Sequence, residues 1–194
     1  MKKGGDFLQS SNLPLKKQIF SIPNLFGYFR ILILPVIAWL YLNAKEPSDY
    51  YVVTGLLILS SCTDFLDGLI ARKFHMITDI GKVLDPISDK LTQGVLAICL
   101  MSRYSLMIPL VILFIVKETY MGIMGIIFLR KKILHGAFWF GKICTAILDV
   151  SIIVLIIFPT MPMNAVNTLI IICICFMIFS FVCYIIQYTK MLRE

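Results

Sequence analysis

The chain has 194 residues, of which 59% are hydrophobic and 15% charged, and its mean hydropathy is +0.91. These values lie well above the range of an ordinary soluble domain and read as an integral membrane protein with one domain. The net charge of +7 resides in short segments between long apolar runs, so it speaks for topology and anionic lipid and against nucleic acid as a partner.

In chain order, the first twenty residues are too polar for a cleavable signal peptide. Residues 1–21 read as a juxtamembrane segment. Within it residues 13–20, with Lys16 and Lys17 between apolar residues, can lie along the membrane face as a short amphipathic helix. Residues 22–194 read as an all-α membrane domain of six spanning helices, at 22–42, 50–72, 83–101, 106–129, 138–158 and 165–188. Each approaches or exceeds the ~20 residues needed to cross ~30 Å of hydrocarbon.

With both termini on the cytoplasmic side, that side carries Lys2, Lys3, Lys16, Lys17, Arg72, Lys73, Lys82, Arg130, Lys131, Lys132, Lys190 and Arg193. The other side carries only Lys45 and Arg103, so the positive-inside rule sets a multi-pass orientation in the cell membrane with a cytoplasmic site. The six cysteines lie in or beside apolar helices without CxxC spacing and read as small core residues. His75 and His135 read as solvated loop residues. Trp39 and Trp139 serve packing or interfacial anchoring.

Helices 2 and 3 hold the chemistry. Asp64, Asp67, Gly68, Ala71 and Arg72 fall on one face of helix 2, and Gly81, Asp85 and Asp89 repeat at i, i+4 and i+8 on helix 3. A carboxylate at membrane depth is costly and is kept for a partner or a reaction. Asp64 lies eight residues before Arg72, roughly 12 Å below the cytoplasmic edge, and Asp89 lies seven residues after Lys82, roughly 10 Å deep. The two stripes therefore reach one level, in a polar recess bounded by lipid. Pro86 is expected in the first turns of helix 3, where a lost donor matters least.

Such a recess suits a substrate with a soluble head and an acyl tail. Oxygen-ligated Mg²⁺ or Mn²⁺, as two ions, would match a diphosphate there without His or Cys. Gly68 and Ala71 remove bulk where a base or ribose could approach, and Arg72 can fork to phosphate oxygens. The other reading of the same stripes is a proton or cation pathway through a transporter. The absence of any charged residue from 165 to 184 offers such a path no continuation.

The run reads D-x2-D-G-x2-A-R-x8-G-x3-D-x3-D, with Asp64, Asp67, Gly68, Ala71, Arg72, Gly81, Asp85 and Asp89 at the fixed positions. In this it resembles the CDP-alcohol phosphatidyltransferase family. Residues 22–34, IPNLFGYFRILIL, are also similar to the first helix of that family's bacterial phosphatidylglycerophosphate synthases. The resemblance implies a homodimer and a divalent metal pair. It also implies transfer of a phosphatidyl group from CDP-diacylglycerol to an alcohol, with release of CMP. On the matching positions, Asp64, Asp67 and Asp85 would ligate metal, and Asp89 would lie beside the metals as general base. The nucleotide would be met by Asp67, Gly68, Ala71, Arg72 and Gly81. Membrane prenyltransferases also bind a metal diphosphate through helical aspartates, but lack the Gly-x2-Ala-Arg element.

Glycerol-3-phosphate as acceptor needs cations, and the candidates are Arg30, Lys82, Lys117 and Lys142. Arg30 and Lys142 lie within or near the ends of spans, where a charge needs a task or a carboxylate partner. Lys117, Glu118 and Asp149 read alternatively as a buried ion-pair cluster joining helices 4 and 5. Glycerophosphate-transferring members usually carry Arg-Glu in helix 4 and Gly-Lys-x-Lys-Thr in helix 5. Here Lys117 replaces the Arg and Cys144 the second Lys, and helix 5 is similar to the family's cardiolipin synthases, whose acceptor is phosphatidylglycerol. Glycerol-3-phosphate is the expected acceptor and phosphatidylglycerol the alternative.

Overall fold

A computed structural model describes residues 21–73, 78–131 and 138–193; for several residues inside its helices, including Asp64, Asp67 and Arg72, only the backbone is described. Among the described residues there are helices and no strands: α1 (Ile22–Asn43), α2 (Pro47–Lys73), α3 (Asp79–Met101), α4 (Met107–Arg130), α5 (Trp139–Ile157) and α6 (Met163–Arg193). The expected segment at 13–20 lies outside the described residues.

The helices match the expected six in number and order, with corrected ends. Helix α2 begins three residues earlier than expected, at Pro47. Proline there fills a position whose backbone donor would be unused, and Asp49 reaches back to accept the amides of Glu46 at 3.0 Å and Lys45 at 2.8 Å. These bonds hold the Asp49 carboxyl below its ordinary value. Helix α3 begins four residues earlier, so Pro86 stands in its interior and not in its first turns. Its ring removes one bond, to the carbonyl of Lys82.

Among the described residues, four helical stretches are long and apolar enough to cross a membrane: Asn24–Asn43, Met107–Phe128, Trp139–Ile157 and Met163–Arg193. Helices α2 and α3 count toward that set only through their described residues, which leave out Asp64, Asp67, Arg72 and Lys82. Both carry the ionisable residues of the acidic motif, and each such residue works against an apolar span. Large apolar side chains such as Leu32, Ile112 and Ile126 stay exposed, as lipid contact requires of a multi-pass membrane protein.

The chain forms two compact units. The first gathers α1, α2 from Val52 onward and α3 as far as Thr92. Helix α1 buries Asn24, Gly27, Arg30, Leu34, Ile37 and Tyr41, a stripe at helical spacing. Asn24 meets Thr78 at the start of α3, Gly27 backs onto Leu84, and Arg30 reaches Asp89. The contacts follow in the same order along both helices, so α1 and α3 run parallel. They are also close: a Cβ on Gly27 would sit 2.7 Å from Leu84 Cδ2.

The second unit holds residues 44–51 and Gln93 onward. In it α6 packs against α4 and α5. Tyr120 and Phe128 of α4, Phe138 and Phe140 at the start of α5, and Tyr184 and Tyr188 of α6 make a continuous aromatic cluster. The thiol of Cys173 donates to Ser151 Oγ at 3.0 Å, and all six cysteines are free. Only Cys99, Cys144 and Cys173 are buried, while Cys62 and Cys175 are exposed on apolar helix faces, which corrects the reading of all six as core residues. Arg103 lies over the rings of Tyr50 and Tyr104 and donates to the carbonyl of Pro159 at 3.2 Å, joining the α3–α4 and α5–α6 connections to the first turn of α2.

Candidate active site

Helix α3 is set in place from its first turn. Thr78 caps it by accepting the amide of Gly81 at 3.0 Å. Asn24 of α1 donates Nδ2 to Thr78 Oγ1 at 3.1 Å, and the hydroxyl in turn lies 3.3 Å from Asn24 Oδ1. Both residues are buried. A Cβ on Gly81 would fall 2.8 Å from Asn24 Oδ1 and 3.1 Å from Thr78 Oγ1. The glycine is therefore needed for the Asn24 contact, a reason separate from the nucleotide-facing one expected of it.

One and two turns further, Asp85 and Asp89 stand on one face of α3, both exposed. Ser88, wholly buried, lies off that face and donates to the carbonyl of Asp85 at 3.0 Å. Asp89 is the acceptor of a charge-assisted bond: Arg30 Nη1 donates to its Oδ1 at 2.6 Å. The two partners differ sharply in exposure, 4% for the arginine side chain and 54% for the carboxylate. Arg30, expected among the acceptor contacts, thus has the carboxylate partner that a charge in an apolar helix needs.

Asp64, Asp67, Gly68, Ala71 and Arg72 all fall inside α2, and Lys82 inside α3, but their side chains lie outside the described residues. Helical continuity keeps the first five on the face that their spacing defines. The donor set of Asp85 and Asp89, exposed oxygens one turn apart, fits a hard divalent cation and offers nothing to a thiophilic one. Among the described residues no group of three or more His, Cys, Asp and Glu converges, the side chains of Asp64 and Asp67 being outside that set.

Lys117 and Lys142 belong to the second unit. Lys117 is 3% exposed; its Nζ is 2.8 Å from Glu118 Oε1 and 5.9 Å from the centre of the Tyr184 ring. Asp149 accepts from Gln93 Nε2 at 2.6 Å. The expected cluster of Lys117, Glu118 and Asp149 is thereby corrected: the lysine pairs along its own helix, and the aspartate is met by an amide from α3. Lys142 is exposed, one turn into α5. Gly141 beside it is buried against Tyr184, whose Cζ lies 2.9 Å from where a Cβ would be.

Asn24, Thr78 and Gln93 escaped the sequence reading. Asn24 and Gln93 carried a usable signal, since an amide side chain in an apolar helix demands a partner. Thr78 carried another, a cap residue three positions before an amide that needs one.

A family model described as CDP-alcohol phosphatidyltransferase matches residues 20–188. The chain is 40% identical over 84 residues to a CDP-diacylglycerol–glycerol-3-phosphate 3-phosphatidyltransferase of Rickettsia typhi, covering 43% of this chain and 46% of that one. It is 27% identical over 178 residues to the protein of that name from Aquifex aeolicus, covering 89% and 98%. A fusion protein of Schizosaccharomyces pombe, named cardiolipin synthase (CMP-forming) / mitochondrial hydrolase, is 36% identical over 121 residues, 61% of this chain and 19% of the fusion. The chain thus spans under half of the Rickettsia relative and about a fifth of the fusion.

Proposed function

The chain belongs to the CDP-alcohol phosphatidyltransferase family, and from that premise we propose that it makes phospholipid by moving a phosphatidyl group from CDP-diacylglycerol to glycerol-3-phosphate. The observation that carries the reading is Asp89. It is a half-exposed carboxylate held by a buried arginine one turn from a second exposed carboxylate, in the frame of the eight-position motif.

In the proposed reaction Asp89 takes the proton of the acceptor hydroxyl. The acceptor oxygen forms a bond to the lipid-bearing phosphorus, and the bond from that phosphorus to the CMP oxygen breaks. CMP leaves with the electron pair, its phosphate met by Arg72. Asp64, Asp67, Asp85 and Asp89 would hold two divalent ions, Mg²⁺ or Mn²⁺, which when bound orient the diphosphate and neutralise charge on the leaving group. Gly68 and Ala71, with Asp67 and Gly81, would receive the cytidine end. Lys82 and Lys142 are the cations offered to the acceptor phosphate; Lys117, 3% exposed and paired with Glu118, lacks the access that this role needs.

Six spans, a cytoplasmic site with both termini on that side, and a homodimer complete the proposal. The cation distribution supports the orientation, twelve against two. Family membership supports the helix count and the pairing of two copies, and it sets aside the transporter and prenyltransferase alternatives.

A second acceptor has an observation of its own. Cys144 stands where glycerophosphate-transferring members usually carry Lys, and the fusion protein's printed name is that of a cardiolipin synthase. The test is the purified full chain with CDP-diacylglycerol and a panel of acceptors, scored for CMP release and lipid product. Phosphatidylglycerophosphate from glycerol-3-phosphate is the expected result. Cardiolipin from phosphatidylglycerol, with no reaction of glycerol-3-phosphate, would replace the first acceptor by the second.

A further inference from the structure

We propose that Arg30 is a positioning residue that fixes the carboxylate of Asp89, and not a contact for the phosphate of the acceptor. The inference rests on the phosphatidyl-transfer reading above. Exposure separates the two roles first. The guanidinium is 4% exposed on the inner stripe of α1, while its partner carboxylate is 54% exposed. A phosphate arriving from water would meet Asp89 before it met Arg30. Charge argues the same way, because an acceptor phosphate seated on Arg30 would press a second anion against Asp89 Oδ1, already 2.6 Å from Nη1.

The surroundings leave the arginine little freedom to do otherwise. Two turns earlier, Asn24 is hydrogen-bonded to the cap of α3; one turn earlier, Gly27 lets Leu84 lie against the α1 backbone. Asn24, Gly27 and Arg30 thus recur every three residues on one face and fix the height of α3 against α1. Arg30 is delivered at the level of Asp89 by this register. A planar guanidinium reaching a carboxylate from a fixed direction restricts its rotation, as outer partners restrict ligating groups in other sites. The orientation of a base toward an incoming hydroxyl depends on such restriction.

The test compares four forms of the full chain reconstituted in lipid: wild type, Arg30→Gln, Asp89→Asn and the double variant. Kinetics are followed with CDP-diacylglycerol and glycerol-3-phosphate, and thermal unfolding is measured on the same samples. Arg30→Gln is expected to lower kcat ~10–100-fold with the KM for glycerol-3-phosphate unchanged. The double variant should be no slower than Asp89→Asn alone, since the arginine acts through that carboxylate. Arg30→Lys should recover part of kcat, and it carries the same test if Arg30→Gln does not fold. In unfolding, the double variant should lose less than the two single losses combined.

A raised KM for glycerol-3-phosphate with kcat retained would overturn the inference, as would additive losses in both kcat and thermal unfolding. Should the wild type release no CMP with any acceptor, the functional reading fails separately. The unfolding cycle then still decides whether Arg30 and Asp89 act as a pair.

Discussion

The base role proposed for Asp89 asks for a carboxylate of fixed direction, and the contact proposed to supply it is the 2.6 Å bond from Arg30. Asp89→Asn keeps the shape of the side chain but cannot take the proton. In detergent-solubilised protein it should retain CDP-diacylglycerol binding while turnover falls ~10²-fold or more; unchanged turnover would remove Asp89 as the base. Asp49 behaves differently, because it acts on the backbone alone. Its carboxyl is held below the ordinary value of 3.8 by the amides of Glu46 and Lys45. A folded value lowered in this way contributes stability above the unfolded value, and the contribution disappears as pH falls through the folded one. Hydrogen exchange at those two amides should therefore quicken on acidification below about 3.8, beyond the intrinsic pH dependence of exchange, and Asp49→Asn should weaken their protection already at neutral pH.

Packing between helices turns on small residues and caps. Thr78→Ala removes the cap of α3 and one partner of Asn24, so unfolding should show a loss of ~1 kcal/mol or more. Gly141→Ala drives a methyl into the ring of Tyr184 and should cost ~1–3 kcal/mol by overpacking. Gly122→Ala, with open space around it, should be neutral or stabilising, because alanine favours helix over glycine by up to ~1 kcal/mol. Equal effects at the two glycines would show that the Tyr184 contact is not tight. The helices themselves were legible in the sequence, because apolar runs of membrane length leave little choice of structure. Their starts were less so: Pro47 and Thr78 open α2 and α3 through local backbone bonds that hydropathy does not register. The acidic face of α3 was legible because Gly81, Asp85 and Asp89 fall at helical spacing. The bond from Arg30 to Asp89 was not, since 59 residues separate them and only the register of α1 against α3 joins them. Asp149 shows the same limit: its charge demanded a partner, but that Gln93, 56 residues away, would meet it depended on tertiary placement.

At the scale of the whole molecule, the proposed site, with Asp64, Asp67, Asp85 and Asp89 as its carboxylates, would be anionic and should not work without cations. Chelation by EDTA should abolish CMP release, and Mg²⁺ or Mn²⁺ should restore it; full activity in chelator would remove the metal from the proposal. An amine reagent that does not cross membranes, applied to intact cells, should modify Lys45 and spare Lys131; the reverse would invert the orientation. The parallel pairing of α1 with α3 also bears on how the protein is made. Helix α1 is synthesised before the segment that will hold Asp89, and at ~5–20 residues per second the ribosome needs several seconds to cover that interval. Arg30 enters the bilayer during that time with its eventual partner not yet translated. An arginine at the middle of a span costs ~2.5–3.5 kcal/mol on the insertion scale, while the Leu, Ile, Phe and Val residues of α1 together return roughly 4–7 kcal/mol. The balance favours insertion. The apolar residues of α1 are thus what lets a helix with a buried cation wait in the membrane until translation delivers its carboxylate.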